Sequence, residues 1–272
     1  MKDIRDDIFE EILHSKFIAN LVSENEGIIA GSSYALDQAK DIGIDLKFNF
    51  CDGDRIKEGD IIGEIIANPK GMAIAEERII GTVAKYSGIA TAAKTAVDTA
   101  KGKVKIVAGS WKKMPPQMKV GVRHAVNLGG AFFRITEEPM IYLDKNYIKM
   151  LGSIPYALEA VKDKIDYVKV IQIKGKDFSV EEETVMALEN YCGIIMVDTG
   201  DINDLKKCID TVKRLGQRNK VEIAFAGNVK IDHINIYTDM DLDILCIGKE
   251  IVDAQLLDIK LDVIGEDVKS WD

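Results

Sequence analysis

The chain has 272 residues, with 36 Lys plus Arg against 45 Asp plus Glu, and its formal charge of −9 excludes nucleic-acid binding through bulk positive charge. A hydrophobic content of 47%, with 30% charged residues and five prolines, excludes global disorder and fits one large domain or two smaller ones. No apolar run approaches the roughly 20 residues that span a bilayer, and the N-terminus, MKDIRDDIFEEILHSK, is acidic and amphipathic rather than a secretory leader, so a cytoplasmic protein is expected.

The first hundred residues mix element types. NFCDGDRIKEGDIIGEIIANP reads as two hairpin-linked strands, with Asp-Gly-Asp and Glu-Gly-Asp as turns. The next segment, AIAEERIIGTVAKYSGIATAAKTAVDTAK, reads as a long helix in which Ser87-Gly88 marks a kink or a close contact. From about Val104, short β-branched runs alternate with helical stretches. The expected strands are VKIVAG (104–109), AFFRI (131–135), YVKVIQI (167–173), GIIMVD (193–198), VEIAFAG (221–227) and DILCIG (243–248), each apolar enough to be buried on both faces. Between them, SIPYALEAVKDKI and DINDLKKCIDTVKRLGQ carry apolar residues at helical spacing. Six such strands predict a closed or nearly closed βα barrel over 104–254, an N-terminal domain over 1–103 and a C-terminal segment over 255–272, for which a return to the N-terminal domain stays open.

Barrels of this kind keep their chemistry at the C-terminal strand ends, where the βα loops converge, which singles out Arg134, Gln172, Asp198, Gly227 and Gly248. Gly227-Asn228 and Gly248-Lys249 follow neighbouring strands and present backbone N–H groups suited to a phosphate, although plain turns also use glycine there. The block from Trp111 to Lys119 holds Lys112, Lys113 and Lys119 and reads as an anion site or a solvated loop. Asp198 ends an apolar strand, where a carboxylate serves a ribose hydroxyl, a metal or the next helix, with Thr199 and Asp201 beside it as capping residues. His14, His124 and His233 are dispersed, so no nucleophilic triad is indicated. Cys51, Cys192, Cys208 and Cys246 show neither disulfide-framework nor zinc spacing, and the Rossmann and P-loop fingerprints are absent.

Taken in order, AEERIIGTVAKYSGIATAAK, the WKKMPP loop, RHAVNLGGAFFRI, IYLDKNYI, IIMVDTG, AFAGNV and CIGKEIVDAQLLDIKL resemble the quinolinate phosphoribosyltransferases, also called carboxylating nicotinate-nucleotide pyrophosphorylases. The resemblance runs from about Gly59 to Leu261, and its most specific part is the segment from Glu76 to Thr91 followed by AVNLGG. It implies an α/β fold with an N-terminal α/β sandwich and an incomplete six-stranded βα barrel, and a homodimer with a shared active site. It also implies transfer of phosphoribosyl from phosphoribosyl pyrophosphate to a pyridine dicarboxylate with Mg2+, releasing pyrophosphate and then carbon dioxide, in NAD biosynthesis.

Residue by residue, the resemblance makes Arg78 an anion-binding residue donated across the dimer, Lys112 a catalytic lysine and Arg134 a substrate-binding arginine. Trp111 and Phe133 stand where an arginine and a histidine are expected. In IYLDKNYI, Asp144 replaces a substrate-facing lysine, with Lys145 one position away. Gln172 replaces a ribose-binding glutamate, within about two residues of register. Asp198 keeps the ribose or Mg2+ carboxylate, and the turns at Gly227-Asn228 and Gly248-Lys249 have lost serines but kept their glycines. The phosphate side is thus retained while the carboxylate grip is thinned, and Trp111 and Phe133 form an aromatic wall. These changes point first to a planar nitrogen heterocycle other than quinolinate. Two alternatives stay open: the orthodox quinolinate enzyme, with Lys112, Lys113, Arg134, Lys145 and a partner's Arg78 as a rearranged cation set, and a non-catalytic nucleotide- or phosphate-binding protein.

Overall fold

FIANLVS forms β1 (Phe17–Ser23), in which Ala19, Leu21 and Ser23 are buried, the period-two signature of a strand with one covered face. The structure is a computed structural model and describes residues 3–267. The chain divides into two units, one made of the residues up to Lys94, Met114–Gly130 and the chain from Ile251 on, the other of Thr95–Lys113 and Ala131–Glu250.

In the first unit, β2 (Gly27–Ile28), β3 (Asp45–Phe48), β4 (Arg55–Ile56) and β5 (Ile61–Ala67) follow β1, and β12 (Ile259–Glu266) comes from the C-terminal side. They form an antiparallel sheet of order β12-β1-β5-β3 and a separate β2-β4 pair. The hairpin expected over residues 49–69 does not form. β5 pairs with β1 and β3, whereas Arg55 and Ile56 pair with Ile28 and Gly27. The reason is local, because turns at Asp52-Gly53 and Glu58-Gly59 leave too few residues between them for a strand that could partner β5. After the short α1 (Ile4–Ile8), α2 (Ser32–Ile42) and α3 (Pro69–Ala100) cover the sheet. Met72, Ala75, Ile79 and Val83 of α3 recur at three- and four-residue spacing and join Ala35 and Ala39 of α2 in one core with Leu21, Ile62 and Ile65.

Helix α3 runs unbroken through Ser87-Gly88, so the pair marks a close contact rather than a kink. The Ser87 hydroxyl accepts a hydrogen bond from the Ala30 N–H at 2.9 Å, and that of Thr91 accepts one from the Ile28 N–H at 2.9 Å. A methyl group on Gly88 would stand 2.0 Å from the Gln255 carbonyl oxygen. At the end of α4 (Lys119–Leu128), one on Gly129 would stand 2.3 Å from the Ala90 carbonyl. The two most distinctive sequence blocks, SGIAT and AVNLGG, are therefore packing motifs.

The second unit contains β6 (Lys105–Val107), β7 (Met140–Leu143), β8 (Val168–Ile173), β9 (Ile194–Val197), β10 (Glu222–Phe225) and β11 (Ile244–Cys246). All neighbours are parallel, in the order β6-β11-β10-β9-β8-β7. The edge strands β6 and β7 do not pair, yet Val107 of β6 and Tyr142 of β7 share one apolar cluster with Val170, Ile194, Met196, Ala224 and Ile244. The sheet is thus rolled around a common interior without closing, the incomplete six-stranded barrel that the resemblance implies.

AFFRI was expected as a strand, and MIYL takes that place instead. Only Phe132 bridges to Val107, because the neighbouring carbonyls are claimed by side chains: the Trp111 indole N–H donates to the Phe133 carbonyl at 2.7 Å and the Lys105 ammonium to that of Ile135 at 3.1 Å. The helices of this unit are α5 (Lys145–Leu151), α6 (Ile154–Glu159), α7 (Val180–Glu189), α8 (Ile202–Arg214) and α9 (Ile234–Thr238), and α10 (Lys249–Val252) starts at its last two residues. α6 is shorter than SIPYALEAVKDKI predicts, since Ile165 finds no cover and is 84% exposed. Among the described residues no helix is long and apolar enough to cross a membrane.

Candidate functional site

Inward-facing positions recur every second residue along the barrel strands: Met140 and Tyr142 on β7, Val168 and Val170 on β8, Ile194 and Met196 on β9, and Ile244 and Cys246 on β11. Continuing each series toward the C-terminal end reaches Asp144, Gln172, Asp198 and Gly248. The same end of the barrel therefore gathers the polar residues that the strand pattern singles out. Gln172 Nε2 donates to Asp198 Oδ2 at 2.5 Å, and the Gln172 carbonyl oxygen Oε1 accepts the Lys145 backbone N–H at 2.7 Å. Lys174, two residues beyond Gln172, sets its ammonium 2.9 Å from Asp198 Oδ2 and also donates to the Asp198 backbone carbonyl.

Asp198 is not the cap of the following helix. Asp201 caps α8 by accepting the Asn203 N–H at 2.8 Å, and the Thr199 hydroxyl accepts the Asp201 N–H at 3.2 Å. The carboxylate that ends β9 is thus available to the site. Asp144 does cap a helix, its Oδ1 accepting the N–H groups of Asn146 and Tyr147 at 2.8 and 3.1 Å. Because α5 begins at Lys145, the strict alternation of a strand ends before that lysine, which is exposed.

Trp111 and Phe133 form an edge-to-face pair, with ring centroids 6.1 Å apart at 78°, tying the loop after β6 to the segment before β7. Lys112 extends its ammonium over the Tyr142 ring, 5.1 Å from the centroid. Burial pushes the Tyr142 hydroxyl far above its ordinary range, with Cys246, Asp198 and Asp144 adding to the shift, so it remains protonated as a neutral donor. Burial likewise pushes the Cys246 thiol up to about 12, which removes it as a nucleophile. Arg134 is half-buried and Lys113 exposed.

The two glycine turns are shaped by close approach. A methyl group on Gly227, at φ 119°, would stand 2.5 Å from the Gly200 backbone, and Asn228 follows at φ 54°. At Gly248 the added atom would stand 2.0 Å from the Ser110 hydroxyl. Ser110, which was not singled out in the sequence, therefore brings a hydroxyl beside the second turn, one of the two turns that had lost serines. Lys249 is exposed at the start of α10. Arg78 lies in the first unit, exposed on α3.

The description of the quinolinate phosphoribosyl transferase C-terminal domain matches residues 89–262, more than half of the chain. The chain belongs to the quinolinate phosphoribosyl transferase family. A relative from Methanothermobacter thermautotrophicus, a probable carboxylating nicotinate-nucleotide pyrophosphorylase, is 24% identical over 92% of this chain and 90% of its own. The human carboxylating nicotinate-nucleotide pyrophosphorylase is 21% identical over 92% of this chain and 83% of its own. The solved structure of NadC from Streptococcus pyogenes shares the fold, with a TM-score of 0.79 and 20% identity over 98% of this chain and 92% of that one.

Against this family background, three residues that sequence reasoning passed over stand out. Two of them are Lys174 and Ser110. The third, Glu183, is buried, and its Oε2 accepts the N–H groups of Lys174 and Gly175 at 2.7 and 2.8 Å, which fixes the loop carrying Lys174. A cavity of about 350 Å³, within the size range of small-molecule pockets, adjoins this group and is bounded by Lys145, Lys149, Ser153, Gln172, Lys174 and Phe178 among others. At Asp198, Oδ2 is already held by an ammonium and an amide, so a Mg2+ beside it would have to be carried largely by substrate phosphates.

Proposed function

We propose that the protein is an orthodox quinolinate phosphoribosyltransferase of NAD biosynthesis, acting as a homodimer. The observation that carries this reading is the Gln172–Asp198–Lys174 cluster at the C-terminal end of an otherwise apolar barrel interior. The family description, which names quinolinate, and relatives over nine-tenths of the chain, named carboxylating nicotinate-nucleotide pyrophosphorylases, support quinolinate, and the other heterocycle expected from the substitutions finds no support among them.

In the reaction, the pyridine nitrogen bonds to C1′ of phosphoribosyl pyrophosphate while the bond to pyrophosphate breaks and its electrons leave with the oxygen. The neighbouring carboxylate then departs as carbon dioxide, and the ring carbon takes up a proton. Asp198 and Gln172 hold the ribose hydroxyls, and the Asp198 carboxylate stabilises the positive charge that grows on the sugar. The backbone turns at Gly227-Asn228 and Gly248, with Ser110 and Lys249, receive phosphate oxygens. Lys112, Lys113, Arg134, Lys145 and the partner subunit's Arg78 hold the ring carboxylates, and the Trp111–Phe133 pair flanks the ring.

The test is quinolinate-dependent carbon dioxide release by wild type and Arg134→Ala. Loss of one charge-assisted carboxylate contact, about 1.5–3 kcal/mol, raises KM for quinolinate roughly 10- to 100-fold. KM for phosphoribosyl pyrophosphate stays within about 2-fold. Equal changes in both constants would remove Arg134 from the carboxylate grip.

A further inference from the structure

Tyr142 stands on the interior face of β7, in register with Val170 of β8 and two residues before Asp144. Its neighbours in the cluster include Val170, Ile194, Met196 and Ile244, so it carries a hydroxyl into a wall of hydrocarbon, where a phenol ordinarily finds an acceptor. Among the described residues none makes a hydrogen bond to it. The carboxylates that act on it electrostatically, Asp198 and Asp144, are engaged elsewhere: Asp144 with the N–H groups that open α5, and Asp198 Oδ2 with the Lys174 ammonium and the Gln172 amide. Lys112 holds its ammonium over the Tyr142 ring, 5.1 Å from the centroid, so a positive charge and an O–H donor come together at the barrel mouth. Burial keeps the phenol protonated, and a neutral donor beside an ammonium suits an anionic acceptor, to which its hydrogen bond is charge-assisted. Where the resemblance implies a substrate-facing lysine at position 144 there is a helix cap, and the preceding inward position of the same strand carries this hydroxyl.

We infer that the Tyr142 hydroxyl donates to a carboxylate of the bound heterocycle beside the Lys112 ammonium, which makes Tyr142 a further substrate-binding residue of this site. The inference rests on the reading that quinolinate is the substrate.

The experiment is steady-state kinetics of full-length wild type and Tyr142→Phe, read as quinolinate-dependent carbon dioxide release with each substrate varied in turn. Phenylalanine keeps the ring, its packing and the contact with Lys112, and removes one O–H. KM for quinolinate is expected to rise roughly 10- to 100-fold, the scale of one hydrogen bond to a charged group, with kcat and the KM for phosphoribosyl pyrophosphate within about 3-fold of wild type. A smaller rise, or equal rises in both KM values, overturns this inference and leaves the proposed reaction standing. A kcat lowered about 10-fold or more with KM unchanged puts the hydroxyl in the chemical step instead of the carboxylate grip, and also overturns it. Absence of carbon dioxide release by wild type overturns the quinolinate reading and this inference with it.

Discussion

Asp198→Asn is expected to lower kcat/KM for quinolinate-dependent carbon dioxide release by roughly 100- to 1,000-fold, the scale of removing one preorganised charge from a transition state. The substitution keeps the size and outline of the side chain but deletes the negative charge that the proposed mechanism sets against the sugar as pyrophosphate departs. It also leaves the Lys174 ammonium, held 2.9 Å away, without a counterion. Both side chains of that pair are more than a quarter exposed, so the effect on stability is small, about 1 kcal/mol or less. Steady-state kinetics with a parallel melting curve separates the two effects. Activity within about 3-fold of wild type, with an unchanged melting temperature, would take Asp198 out of the reaction.

The second large effect concerns stability rather than chemistry. Gly88→Val places a branched side chain where even one carbon would stand 2.0 Å from the Gln255 carbonyl oxygen and 3.3 Å from the Leu256 Cα. Those atoms are backbone and are tied down, since the Leu257 N–H donates to the Ala84 carbonyl at 3.0 Å and Leu257 is buried. Overpacking of this kind costs about 3 kcal/mol, against a few tenths regained in helix propensity. For a chain of this size the melting temperature falls by roughly 6–10 °C. Gly81→Ala on the same helix is the control. It meets nothing within 4 Å and should leave stability unchanged or raise it by up to about 1 kcal/mol. Equal melting temperatures for Gly88→Val and wild type would show that the 251–257 segment yields, contrary to the packing argument.

The same residue explains why the most recognisable block of sequence says little about chemistry. SGIAT is distinctive because Ser87, Gly88 and Thr91 each meet the backbone of another segment of the first unit, so a packing constraint, not a reacting group, makes the block specific. The barrel strands were legible because strands buried on both faces appear as short apolar runs. AFFRI misled for that very reason: apart from Arg134 it is an apolar run like MIYL, and what denies it a ladder is the capture of its carbonyls by Trp111 and Lys105. Gln172 and Asp198 were legible as polar residues interrupting apolar strands.

Lys174 lies just past the strand end, yet it continues the alternation Val170, Gln172, Lys174, so the strand period alone points to it. Ser110 carried no such signal. Its relation to Gly248 depends on β6 lying beside β11, which the order of elements along the chain does not reveal. Asp144 shows the converse case, where a residue expected to face the substrate also caps a helix.

Transfer of phosphoribosyl to quinolinate with loss of its carboxylate is the reaction proposed for this chain. The most direct measurement is the stoichiometry of products from phosphoribosyl pyrophosphate and quinolinate labelled in the departing carboxyl group, with a pyridine monocarboxylate run in parallel. One pyrophosphate and one labelled carbon dioxide for each quinolinate consumed, with the monocarboxylate at least about 100-fold poorer in kcat/KM, is the predicted result. Pyrophosphate release without carbon dioxide, or a preference for the monocarboxylate, would contradict it.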